Sequence, residues 1–119
     1  MPTADTANLP ALRELIREFV DERDWAQFHT PKNLAMAMSI EAAEVMEHFQ
    51  WLATGHELSA GKRTAVAHEL ADVLVYLVRL ADVLDIDLPA AVGQKMALNR
   101  EKYPADRVRG DARKYTEYE

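Results

Sequence analysis

Three observations in the sequence predict an all-α protein, a four-helix bundle. Apolar residues recur at spacings of three and four, the period of a helix face. The apolar runs open on residues that cap helices, and proline follows closely in most cases: Asn8 before Pro10, Thr30 before Pro31, Ser59 alone, and Asp87 before Pro89. No segment alternates apolar and polar residues as a half-buried strand does.

Residues 1–7 read as a flexible arm. The first helix should run from the Asn8 cap to about Arg23, with Leu12, Leu15, Ile16, Phe19 and Val20 as its stripe. The segment from Asp24 to Thr30 breaks that pattern. A second helix should open at Pro31 and reach about Ala53, burying Leu34, Met38, Val45, Phe49 and Leu52. After a turn containing Gly55 and Ser59, a third helix is apolar on nearly every side from Val66 to Leu84, which marks it as central. The fourth helix follows Asp87 and carries Val92, Met96 and Leu98 on one side, with Lys95, Asn99, Arg100 and Lys102 on the other. Pro104 stops it. The remaining residues, 105–119, form a polar tail.

A chain of 119 residues with 49% hydrophobic content is expected to be a single domain over 1–119 with a core of its own. The net charge of −6 and the absence of a long basic run argue against a nucleic-acid or membrane-surface binder. Having no cysteine, the chain makes no disulfide and no thiolate zinc site. No basic start leads into an apolar run at the amino terminus, and no apolar stretch approaches 18 residues, so the expectation is a soluble cytoplasmic protein.

Two pairs of carboxylates stand out against this background. Glu41 and Glu44 lie in the second helix and Glu69 and Asp72 in the third, each pair at i, i+3 in an otherwise apolar run. Such positions are about 60° apart on a helix, so both carboxylates of a pair face one way. From Glu44 to Ala53, and from Ala60 to Glu69, the chain rises by roughly 13 Å, so an antiparallel hairpin brings the pairs to one height. Four converging carboxylates repel unless a cation sits among them. No glutamate has a histidine three residues on, which removes a ferritin-like di-iron site and leaves Mg²⁺, with Mn²⁺ as a substitute. Such ions commonly share phosphate oxygens with a substrate.

Groups suited to such a substrate are present. Lys95, Asn99, Arg100 and Lys102 could hold phosphates, or form a solvated face. Trp25 and Trp51 could flank a base, or belong to the core. A helix reaching Ala53 places Trp51 about 80° round from Glu41. Tyr76, seven residues beyond Glu69, should point into the same cavity, where its hydroxyl could reach a sugar or phosphate oxygen, or it caps the core. Glu47 is a further candidate ligand, and His29 and His48 are weaker signals.

The pattern Glu41-x-x-Glu44, 24 intervening residues, then Glu69-x-x-Asp72 resembles the signature of the MazG-like all-α nucleoside triphosphate pyrophosphohydrolases. The flanking text is similar to the dCTP pyrophosphatase branch: Glu22-Arg-Asp-Trp-Ala-Gln-Phe-His29, Phe49-Gln-Trp51, Glu69-Leu-Ala-Asp-Val-Leu-Val-Tyr76, Lys95-Met, Asn99-Arg, Lys102-Tyr-Pro104 and Arg113-Lys-Tyr-Thr116. The resemblance implies Mg²⁺-dependent hydrolysis of a deoxynucleoside triphosphate, dCTP or a modified dCTP, to the monophosphate and pyrophosphate. It implies Mg²⁺ on Glu41, Glu44, Glu69 and Asp72, a base bordered by Trp25 and Trp51, Tyr76 and Asn99 on the nucleotide and Lys95 on phosphate, in a homotetramer built as a dimer of dimers. Glu44, or Glu41, is expected to take the proton of the attacking water. The tail, with Arg109, Arg113 and Lys114, could close over phosphates as a lid, or be disordered. Ile16 stands where animal members of the branch carry histidine. A broad-specificity house-cleaning pyrophosphatase and a non-catalytic helical partner protein are the other readings.

Overall fold

In a computed structural model the described residues are 6–117, and all their regular structure is helical. Helix α1 is Leu9–Glu22, α2 is Pro31–Glu47, α3 is Ala60–Val83, α4 is Leu88–Lys102 and α5 is the single turn Ala105–Val108. Short 3₁₀ turns occur at Ala26–Phe28 and Tyr115–Glu117. Most of the expected flexible arm, residues 1–5, lies outside the described residues. The chain divides into two compact units, Met1–Ile86 and Asp87–Glu119.

All four expected caps are made. The side chains of Asn8, Thr30, Ser59 and Asp87 accept hydrogen bonds from the N–H groups of Ala11, Asn33, Lys62 and Ala90 at 2.9, 3.2, 3.2 and 3.0 Å. Each satisfies one of the orphan donors of a helix start and is worth about 1 kcal/mol. Two residues past the ends of α1 and α3, Asp24 and Asp85 have positive φ values of 52° and 55° that turn the chain away from the helix in a conformation that aspartate tolerates.

In the first unit α3 packs against both α1 and α2, as an apolar central helix should. The core is small: Ile16 and Val20 from α1, Leu34 from α2, and Val66, Val78 and Ala81 from α3. Two expectations need correcting. Helix α2 ends at Glu47, six residues before Ala53. Beyond it the chain makes i→i−3 turns, Phe49 N–H to Met46 C=O and Leu52 N–H to Phe49 C=O, and folds back so that Phe49 covers Gly55. Gly55 has φ +82°, and a Cβ there would lie 2.6 Å from Phe49 Cδ1, so glycine is required. The second correction concerns the stripes. Phe19 and Leu52 are exposed rather than buried, and so are Leu70, Leu74 and Leu77, which form an uncovered apolar row along α3.

Candidate metal centre

The α2–α3 hairpin brings the carboxylates together even though α2 is short. Glu41, Glu69 and Asp72 each offer an oxygen, and the three atoms lie within 4.8 Å of one another. The cluster is half-buried at Glu41 and Glu69 and exposed at Asp72. Glu41 Oε2 and Glu69 Oε2 are both buried with no hydrogen-bond partner. Buried acceptors without a donor are unfavourable, and like charges this close add repulsion.

Proton affinities reflect that strain. Burial, followed by the neighbouring Glu44, Asp72 and Glu69, pushes the Glu41 carboxyl up to about 7. The Glu69 carboxyl is also raised, with Glu44 the leading cause and burial next. Glu44 is thus beside both, at the margin of the tight group of three. An all-oxygen, anionic donor set with two orphaned buried oxygens suits a hard divalent cation.

The cluster opens into a cavity of about 530 Å³. Glu41 and Asp72 line it, Leu15, Ile16, Phe19, Val20 and Val75 give it an apolar wall, and Trp25, His29, Tyr76 and Arg79 complete it. Trp25 is held edge-on to Phe19, with ring centroids 5.7 Å apart and planes at 74°, while the Arg23 guanidinium lies over the Phe19 ring at 3.7 Å.

Of the aromatic side chains expected at the site, Trp25 and Tyr76 share the cavity and Trp51 does not. Trp51 follows the end of α2, is 89% exposed, and lines a separate cavity of about 370 Å³ with Glu47, His48 and Lys62. The expected placement of Trp51 on the Glu41 face is therefore overturned, because the helix that would carry it has already ended. Glu47 likewise faces this second cavity. In the second unit, Lys95 and Asn99 lie along α4, with Arg100 and Lys102 in its last turn. Arg113 is engaged by Asp111, at 2.8 Å from Nε and 2.6 Å from Nη2, and this pairing holds the Asp111 carboxyl below its usual range. The Lys114 backbone N–H donates to Glu117 at 3.1 Å.

Sequence reasoning missed a chain of charges beside the cavity. Arg17 donates to Asp82 through Nε at 2.7 Å and Nη2 at 2.5 Å, Arg79 lies 3.5 Å from the same carboxylate, and Arg79 Nε donates to His29 Nδ1 at 3.1 Å. The Asp82 carboxyl is lowered, chiefly by Arg17. A signal was available. Arg79 is seven residues beyond Asp72, on the face of α3 that carries the carboxylates.

Fold and site together define an all-α domain with an acidic metal-type centre in a helical hairpin beside an apolar cavity. The family model described as MazG-like matches residues 36–118, and the chain belongs to that family. It is 48% identical to dCTP pyrophosphatase 1 of Homo sapiens and 47% identical to that of Mus musculus, over 92% of this chain. The chain spans 66% of the length of these relatives. Among solved structures, a pyrophosphatase from Archaeoglobus fulgidus superposes with a TM-score of 0.68 at 39% identity, covering 87% of this chain and 99% of the other. Among the described residues no helix is long and apolar enough to cross a membrane.

Proposed function

We propose that this chain is a single-domain Mg²⁺-dependent pyrophosphohydrolase that converts dCTP, or a 5-modified dCTP, to the monophosphate and pyrophosphate. One observation carries the reading: three carboxylates with oxygens inside 4.8 Å, two of those side chains holding an orphaned buried oxygen, beside an apolar cavity of about 530 Å³. The similarity to dCTP pyrophosphatases supplies the reaction and the base.

In this reading Glu41, Glu69 and Asp72, with Glu44 at the margin, hold the cation, and Mn²⁺ is the natural substitute. A divalent cation there would neutralise triphosphate charge and acidify an attacking water. Glu44 would take the proton of an attacking water as its oxygen adds to the α-phosphorus; the bond from that phosphorus to the α–β bridging oxygen breaks and pyrophosphate leaves with the bridging oxygen. Trp25 and Tyr76 border the base, and Ile16, only 8% exposed, gives the C5 side of a pyrimidine an apolar wall. Lys95, Asn99, Arg100 and Lys102 are assigned to the phosphates and sugar, with Arg113 and Lys114 as auxiliary cations. Trp51 is assigned to the base of a site shared with a neighbouring copy in a homotetramer, a dimer of dimers. Supporting that assembly is the apolar row of Leu70, Leu74 and Leu77, exposed by 53, 40 and 36%. The expected setting is the cytoplasm, where the enzyme would clean the nucleotide pool.

Pyrophosphate release from dNTPs, NTPs and 5-substituted dCTPs with Mg²⁺, by wild type and Glu69→Ala, tests this. Activity centred on dCTP and lost in the variant is expected. A flat profile across all bases would overturn the base assignment, and silence on every nucleotide would overturn the reaction.

A further inference from the structure

The cluster between α1 and α3 joins two guanidiniums to one nearly buried carboxylate. Arg17 already takes both oxygens of Asp82, through Nε at 2.7 Å and Nη2 at 2.5 Å, whereas Arg79 Nη1 stands off at 3.5 Å. Glu14, the other acid on Arg17, is 62% exposed and adds little to the balance inside the cluster. Arg79 is therefore only partly compensated although its side chain is 11% exposed, and a buried cation short of acceptors is costly. Its Nε donates to His29 Nδ1 at 3.1 Å, while Nη2 bonds to no acceptor among the described residues. A guanidinium can only donate, so the N–H groups of Nη2 suit an acceptor that a ligand brings.

Arg79 is the one permanent cation among the described residues that line the cavity of about 530 Å³, whose walls are otherwise mainly apolar. Its place along α3 decides which part of a nucleotide it meets. Asp72, Tyr76 and Arg79 follow one another at four and three residues on one face, so Arg79 lies roughly 10.5 Å along the axis from Asp72. A triphosphate held through a cation by the carboxylates stays at their end of the cavity, which leaves Arg79 to the polar edge of the base. On that edge cytosine presents two neighbouring acceptors, the C2 carbonyl and the N3 lone pair. Uracil and thymine carry a proton on N3, so a guanidinium there meets donor with donor. Resting on the dCTP reading above, we propose that Arg79 is a specificity-determining residue whose Nη2 donates to N3 of the cytosine ring, with Asp82 and His29 holding the guanidinium in place. An analogue without that acceptor leaves the donor unpaired and is rejected. Arg17, by taking both oxygens of Asp82, frees Arg79 for the contact.

Pyrophosphate release by the full chain from dCTP and from 3-deaza-dCTP, in which C–H replaces N3, tests this with Mg²⁺ present. Wild type should favour dCTP about tenfold in kcat/KM, and a ratio near one overturns the proposal without any variant. The same contrast should appear in the Kd values of dCMP and 3-deaza-dCMP, read by calorimetry without a metal; equal values overturn it. Arg79→Met keeps the bulk of the stem and leaves Asp82 paired with Arg17, so the fold should persist. It should cost dCTP about tenfold more than 3-deaza-dCTP and bring the ratio near one. Equal losses on both substrates, as a structural prop or a phosphate contact would give, overturn the proposal. In His29→Ala the guanidinium still has Asp82, so the preference for dCTP should remain whatever the loss in rate. A preference lost in His29→Ala and kept in Arg79→Met would place the reading of N3 elsewhere and overturn the proposal. Wild type inert on every nucleotide overturns the reaction reading and this inference together, whereas activity on dCTP with a flat ratio overturns this inference alone.

Discussion

Helix α3 carries two charged groups nearly three turns apart, and they are balanced in opposite ways. Asp72 is grouped with the carboxylates of Glu41 and Glu69, and two buried oxygens of that group have no donor. Around Asp82 the same kind of side chain meets Arg17 and Arg79, and its oxygens are satisfied. Asp72 is exposed and Asp82 nearly buried, and completeness differs as well. The Asp82 cluster is closed within the chain and serves to fix α1 and the His29 segment to α3. The Glu41, Glu69 and Asp72 cluster gathers like charges with two orphaned oxygens, a donor set that suits a divalent cation.

The sharpest way to break the comparison is to remove one acid from each group. Asp72→Ala should lower pyrophosphate release by about 10³-fold, several kcal/mol of transition-state stabilisation, while leaving cation-free thermal stability unchanged or higher because a like charge is gone. Asp82→Ala should do the reverse in character. Urea denaturation should show a loss of about 3 kcal/mol, since Arg79 is left buried and unpaired. Should Asp72→Ala prove the more destabilising of the two, the distinction between the clusters fails.

The next effect is one of pH. The Glu41 carboxyl titrates at 4.5 in the unfolded chain and at about 7 in the folded one, so between those values the folded form binds more protons. Cation-free stability should therefore be greatest below pH 4.5 as far as this group is concerned, and fall as pH rises through 7. Glu41→Gln should flatten that slope in thermal melts. Added Mg²⁺ should raise the melting temperature more at pH 8 than at pH 5.5, because the ligands must be deprotonated to bind. The smallest effect expected is that of Arg17→Met. Its side chain is 44% exposed, and the loss by the same urea measurement should be well below that of Asp82→Ala.

Helix starts were legible because capping chemistry is local: Asn8, Thr30, Ser59 and Asp87 each act within three residues of themselves. The end of α2 was not. Val45, Phe49 and Leu52 continue a helical period, and only the packing of Phe49 over Gly55 shows that the chain has left the helix. That error displaced Trp51. The convergence of Glu41 with Glu69 and Asp72 was readable from spacing, although the assumption of two equal helical arms was wrong and the connection from 48 to 59 does part of the work. The Arg17–Asp82–Arg79–His29 chain was unreadable as a unit, since its links cross 65 and 50 residues and each member alone resembles an ordinary surface charge.

The hairpin has a consequence for the order of events in folding. Its two helices are neighbours in sequence, so their pairing closes a short loop and is favoured early, before α1 docks across a longer one. Like-charged carboxylates are thereby forced together at the start of folding, when little else has been gained. A divalent cation that relieves this repulsion should speed refolding more than it slows unfolding, placing the acidic site within the folding nucleus. Stopped-flow refolding and unfolding with and without Mg²⁺ would show it, and an effect confined to the unfolding rate would put the site's formation after the barrier.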